Sequence, residues 1–198
     1  MKSTFRNLFS IGSRKSATGH SAVRRSMVVA GLSFPVVSFV SMSARAAEGI
    51  EKFWKYNTKP EEYLSGVFGG QVPPPQVADT AGKSGDMLKP LPQRLRYWRA
   101  NGRTVWIFDE IGKAGYLDTT CGFVVKGGAI ESASVLIYRE SRGDQIGTAG
   151  FLQQFVGAKP AGAGIDKNVD NISGATYSVN LMKRMARVAL ALDASVPA

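Results

Sequence analysis

The residues 170–178, Asp170-Asn171-Ile172-Ser173-Gly174-Ala175-Thr176-Tyr177-Ser178, gather hydroxyls, small side chains and one carboxylate directly before a helical pattern. A helix that starts there presents free backbone N–H groups and the positive end of its dipole, which together favour a phosphate. Gly174 and Ala175 keep bulk away, so a phosphorylated group could approach the backbone. On a helical wheel Thr176 falls with Asn180, Lys183 and Arg187, away from the apolar face, so its hydroxyl is open to another protein. On physical grounds alone the plainer reading is favoured: Asp170 or Ser173 caps the helix and nothing more happens. Other chemistry is scarce. Cys121 precedes Gly122-Phe123-Val124-Val125 and reads as a small buried apolar residue, not a redox thiol. A single Cys rules out an internal disulfide and a Cys-cluster metal site. The one His, His20, lies near the N-terminus; a chain starting at 47 has no His for a catalytic triad, zinc or haem. Arg94-Leu95-Arg96-Tyr97-Trp98-Arg99 is basic and aromatic, a pattern that can hold single strands, but no nucleic acid partner is expected, because the basic residues beyond the first 46 are interspersed with acidic ones.

The elements that must position this segment follow from periodicity. Thr176–Asp193 is the strongest helix: Leu181, Met182, Met185, Ala186, Val188, Ala189 and Leu192 share a face, with Lys183, Arg184 and Arg187 opposite. Residues 94–109 alternate with period two around Asn101-Gly102, whose positive φ values suit a type I′ hairpin turn. Gly112–Gly115 is a second turn, Cys121–Val125 a strand, Lys126-Gly127-Gly128 a tight turn. Ala129–Arg139 is a strand with apolar Ile130, Ala133, Val135 and Ile137. Phe151–Val156 makes one or two helical turns, and Ala158–Gly164 is loop. Ala47–Tyr63 is a short helix or extended arm, and Ser65–Pro92 a Pro/Gly-rich loop with short strands. The fold class expected is α+β, a twisted antiparallel sheet with packed helices.

The 198 residues carry a formal charge of +10. Of the 25 basic residues, seven lie in 1–46, which has no Asp or Glu; the other 18 face 15 acidic residues, a net of +3 from 47 onward. The basic, Ser-rich start, the apolar run Met27–Val40 and Ser41-Met42-Ser43-Ala44-Arg45-Ala46 have the layout of a signal peptide cleaved after Ala46. Arg24-Arg25 resembles part of a twin-arginine signal; general secretion, an uncleaved anchor and a transit peptide are the alternatives. The expected organisation is a leader over 1–46, an arm and loop region over 47–92, and a domain over 93–198, located in the periplasm or cell envelope.

Asp170-x-x-Ser173-Gly174-Ala175-Thr176 resembles the flavinylation motif of FMN-binding domains, as in the flavin-bearing parts of the sodium-pumping NADH:quinone reductase and the Rnf complex. Gly127-Gly128, Glu140-Ser141-Arg142-Gly143 and Phe151-x-x-x-Phe155 extend the resemblance over about 115–194. Ser141 replaces the usual Thr, and Arg142–Gly147 stands where a Pro-Gly-Leu-Gly loop is usual. The resemblance implies FMN joined by a phosphoester to Thr176. Asp170, Ser173, Gly174 and Ala175 would be the recognition motif, and Glu140 a further cofactor-binding residue. It implies a Mg-dependent flavin transferase with FAD as donor, and membrane or periplasmic redox partners. A flavin brings its own redox chemistry, so an electron-transfer carrier fits a chain poor in acid–base groups. The alternatives are a catalytic reductase of a small acceptor and a non-redox envelope binding protein. Trp98, Trp106, Tyr116 and Tyr138 could flank a flavin ring, though strand aromatics are usually core. Lys183, Arg184 or Arg187 could pair with the phosphate, though such residues usually form a solvated face.

Overall fold

The computed structural model describes residues 55–197; the expected leader and residues 47–54 of the arm lie outside the described residues. Strand β1 (Tyr56–Asn57) is followed by helix α1 (Pro60–Phe68) and β2 (Gln76–Asp79). Then come β3 (Arg94–Ala100), β4 (Arg103–Ile111), β5 (Asp118–Lys126) and β6 (Ala129–Tyr138). A short helix α2 (Ala149–Leu152), a ribbon of β7 (Pro160–Ala161) with β8 (Gly164–Ile165), and the long helix α3 (Thr176–Asp193) complete the chain. The first six strands form one open, twisted antiparallel sheet in the order β1-β6-β5-β4-β3-β2. The expected α+β class is the observed one.

The β3–β4 hairpin turns at Asn101 and Gly102, with φ of 54° and 71° as a type I′ turn requires. The long β4–β5 pairing, from Arg103↔Lys126 to Ile111↔Asp118, runs the full length of both strands. Strand β6 departs from simple alternation. Its pairing with β5 shifts between Thr120 and Cys121 and again between Val124 and Val125, so Val135, Leu136 and Tyr138 are all buried while Ile137 is half-buried.

Helix α3 lies on the inner face of the sheet, its Val179, Leu181, Met182, Met185, Ala186, Val188, Ala189 and Leu192 all buried. They meet Phe108, Cys121, Phe123 and Val135 from the sheet and Ile146, Phe151 and Phe155 from the following segment. Cys121 is fully buried with Sγ 3.4 Å from Met182 Sδ, and burial pushes its thiol well above the ordinary value, so it is a core residue as expected.

The other face carries α1, where Leu64 packs on Val105 and Val124. This helix corrects the reading of the arm: Pro60 at its first turn, Glu61 and Glu62 beside it and Gly69 at its end (φ 62°) place it over residues expected to divide into arm and loop. A side chain at Gly122 would collide with the Tyr63 ring, so the missing Cβ makes the seat for α1. No helix among the described residues is long and apolar enough to cross a membrane.

Candidate functional site

The polar segment ahead of α3 arrives at the helix through a chain reversal. Gly174 has φ +80° and opens to free space where a Cβ would stand, and the Ala175 N–H donates to Ile172 O at 2.9 Å. Ala175, not Asp170 or Ser173, is the residue that caps α3, and it makes no side-chain cap bond. The capping reading is therefore corrected: the first turn of an 18-residue helix begins with no side chain across its N–H groups. Asp170 and Ser173 are exposed. The Asp170 N–H is held by Gln154 Oε1 at 2.8 Å, and its carboxylate makes no hydrogen bond or ion pair among the described residues.

Thr176 is the first residue of α3 and is exposed. Asn171 Nδ2 donates to its Oγ1 at 3.1 Å. With Oγ1 accepting, the hydroxyl proton points elsewhere and is open to a base. Asn171 lies inside the motif as a variable position, and only the fold of the loop shows its contact with Thr176.

The turn after α3's start is tied to the neighbouring loop. Ser178 Oγ lies 2.9 Å from the Tyr138 hydroxyl, which donates to Arg142 O. Gly143 fits between them, because a Cβ there would collide with both Ser178 and Tyr138. Burial, chiefly, raises the Tyr138 phenol above its ordinary value, so it stays a neutral donor at physiological pH. Glu140 reaches in another direction: its carboxylate accepts the Leu117 N–H and so fixes the β4–β5 turn. The structure shows it supporting that turn and shows no contact between it and Thr176.

Of the aromatics weighed for a flavin ring, Trp106 is fully buried and stacks on Tyr97 at 4.9 Å, Tyr138 is buried, and Trp98 packs beneath α1. Only Tyr116 is exposed. Of the three α3 cations, Arg187 pairs with Asp86 and Arg184 donates to Ile111 O at 2.9 Å. Lys183 lines a cleft of about 460 Å³ on the solvent side of α3 with Asn180 and Lys167, and makes no ion pair among the described residues. Arg184 also lies 3.7 Å from Glu110, a fully buried carboxylate that the sequence reading passed over. Glu110 accepts the N–H groups of Leu88, Lys89 and Ile111 and so ties the 80–92 loop to the end of β4. An isolated Glu in an alternating strand gives no sequence signal of that role.

These residues fit a phosphorylated ligand: an uncapped helix N-terminus, an open glycine beside it and an accessible hydroxyl at its first position. No curated protein and no solved structure matches the chain. Residues 112–191 match the family model of the FMN-binding domain, a span that runs from the β4–β5 turn through β5, β6 and the Glu140–Gly147 loop into α3. Residues 112–191 are therefore similar to the FMN-binding domain family, and FMN is the cofactor that this match supports.

Proposed function

We propose that the chain is an exported electron-transfer flavoprotein whose FMN is joined through its phosphate to Thr176 Oγ1. The observation that carries this reading is the exposed Thr176 hydroxyl at the first position of a helix with no side-chain cap. When bound, the flavin supplies one- and two-electron redox chemistry. The chain's own residues do the rest. Thr176 Oγ1 forms the new bond to phosphorus as the pyrophosphate of FAD breaks; AMP leaves and the hydroxyl proton is lost. Asn171 orients Oγ1, and the N–H groups of the first helical turn receive the phosphate's negative charge. The partner that performs this step is a Mg-dependent flavin transferase, which needs the hydroxyl on the surface. Membrane or periplasmic redox proteins are the proposed donors and acceptors, and the leader-like 1–46 supports a place in the periplasm or cell envelope. Covalent attachment suits that place, where a dissociated cofactor is not replaced.

Coexpression with a flavin transferase tests the reading. After denaturation and removal of free flavin, yellow fluorescence stays with the wild-type chain and is absent from Thr176→Ala. Equal fluorescence in the variant overturns the attachment site.

A further inference from the structure

Six large hydrophobic side chains stand exposed among the described residues, and three of them, Tyr116 (41%), Leu117 (54%) and Tyr177 (48%), belong to the β4–β5 turn and the start of α3. Tyr116 and Tyr177 meet edge to face with ring centroids 5.9 Å apart. Tyr177 follows Thr176 directly. Apolar side chains grouped on a surface, unlike single ones, mark contact sites.

We propose that Tyr116 and Tyr177 form the platform against which the isoalloxazine ring of the tethered flavin docks. The inference rests on attachment at Thr176 and adds the residues that hold the ring. Three observations and one chemical argument support it. The pair is built into place: the Leu117 N–H is anchored on Glu140, and Gly112 of the same turn packs beside Tyr177, where a Cβ would make ordinary contact at 3.4 Å. Lys113 Nζ lies 5.2 Å from the centroid of the Tyr177 ring, adding a cation at the same spot. The alternatives are spent, because Trp106 and Tyr138 are buried and Trp98 lies under α1. Finally, tyrosine is electron-rich and the flavin ring electron-poor, so their faces attract beyond the area they cover.

Platform and tether are separable by measurement. An excited flavin stacked on a phenol is quenched by electron transfer from it, so the flavin fluorescence decay divides into a short-lived docked fraction and a long-lived free one. Flavinylated wild type, Tyr177→Leu, Tyr116→Leu and Tyr177→Trp are compared, with intact mass reporting the labelling of each. The platform predicts that either Leu variant lowers the docked-to-free ratio about 2- to 10-fold, the size of one aromatic pair. Tyr177→Trp, which keeps both stacking and quenching, restores it. Unchanged decays in both fully labelled Leu variants overturn the platform and leave the tether intact. Absence of label from the wild type overturns the tether instead. Tyr116 lies 60 positions from Thr176, so if Tyr177→Leu loses labelling, Tyr116→Leu carries the test. If that variant also loses labelling while folding normally, Tyr116 serves transferase recognition and the platform is overturned.

Discussion

A threonine hydroxyl is a weak nucleophile, and among the described residues none that could activate it contacts Thr176: the one side-chain contact to Oγ1 there is a donor, Asn171. On the proposed attachment the base would come from the transferase, and the chain would contribute access and orientation. Thr176→Ser, which keeps a hydroxyl at the same point, should still be labelled, while Thr176→Ala should not; mass spectrometry reads both. Asp170 divides recognition from structure. Its carboxylate caps nothing, so Asp170→Asn should melt within the roughly 0.5 kcal/mol expected of a surface change. If the charge is read by the transferase, labelling of that variant slows markedly. Labelling at the wild-type rate would assign recognition to Ser173-Gly174-Ala175-Thr176 alone. The motif was legible because its residues are contiguous. The Asn171–Thr176 contact and the approach of Tyr116 were not, since both depend on how a loop folds back and which turn lands beside it.

At the scale of elements, two features hold the site's scaffold together. Glu110 binds three backbone N–H groups and faces Arg184 from the end of β4. Glu110→Ala leaves those donors without their acceptor and takes the facing carboxylate from a largely buried guanidinium, and should cost about 3–5 kcal/mol in denaturant unfolding. A cost under about 1 kcal/mol would show the 80–92 loop to be held by other contacts. On the opposite face, Gly122→Ala should cost about 1–3 kcal/mol by pushing Tyr63 and α1 off the sheet, with the Thr176 site unmoved. Helix α3 and the β3–β4 hairpin were readable from periodicity, the first with its observed ends Thr176–Asp193. Helix α1 was only partly readable, a short helix being one of two options over 47–63, because it has nine residues and Leu64 is its one buried residue. The double register shift of β5 against β6 also left no mark, because backbone pairing sets it and side-chain type does not.

For the whole molecule, Tyr138 links sheet, loop and helix and makes stability depend on pH in one direction. Its phenol is raised above 10.0 in the folded chain, chiefly by burial, so its contribution is complete below pH 10 and is lost as pH rises through the folded value. Thermal unfolding should therefore show falling stability above pH 10, with a shallower slope in Tyr138→Phe; an equal slope in the two would assign the loss to other groups. Charge belongs to the same scale. With seven basic residues in 1–46, the chain from 47 onward keeps a net of only +3, which gives little general attraction for polyanions, so the proposed phosphate site would rest on local features such as the α3 terminus. The most direct test of the central claim is the mass of the protein purified after coexpression with a flavin transferase. A gain of about 438 Da, FMN less water, with the added mass on the peptide holding Thr176, is the predicted result. An unmodified mass, or the same gain located on another residue, would contradict it.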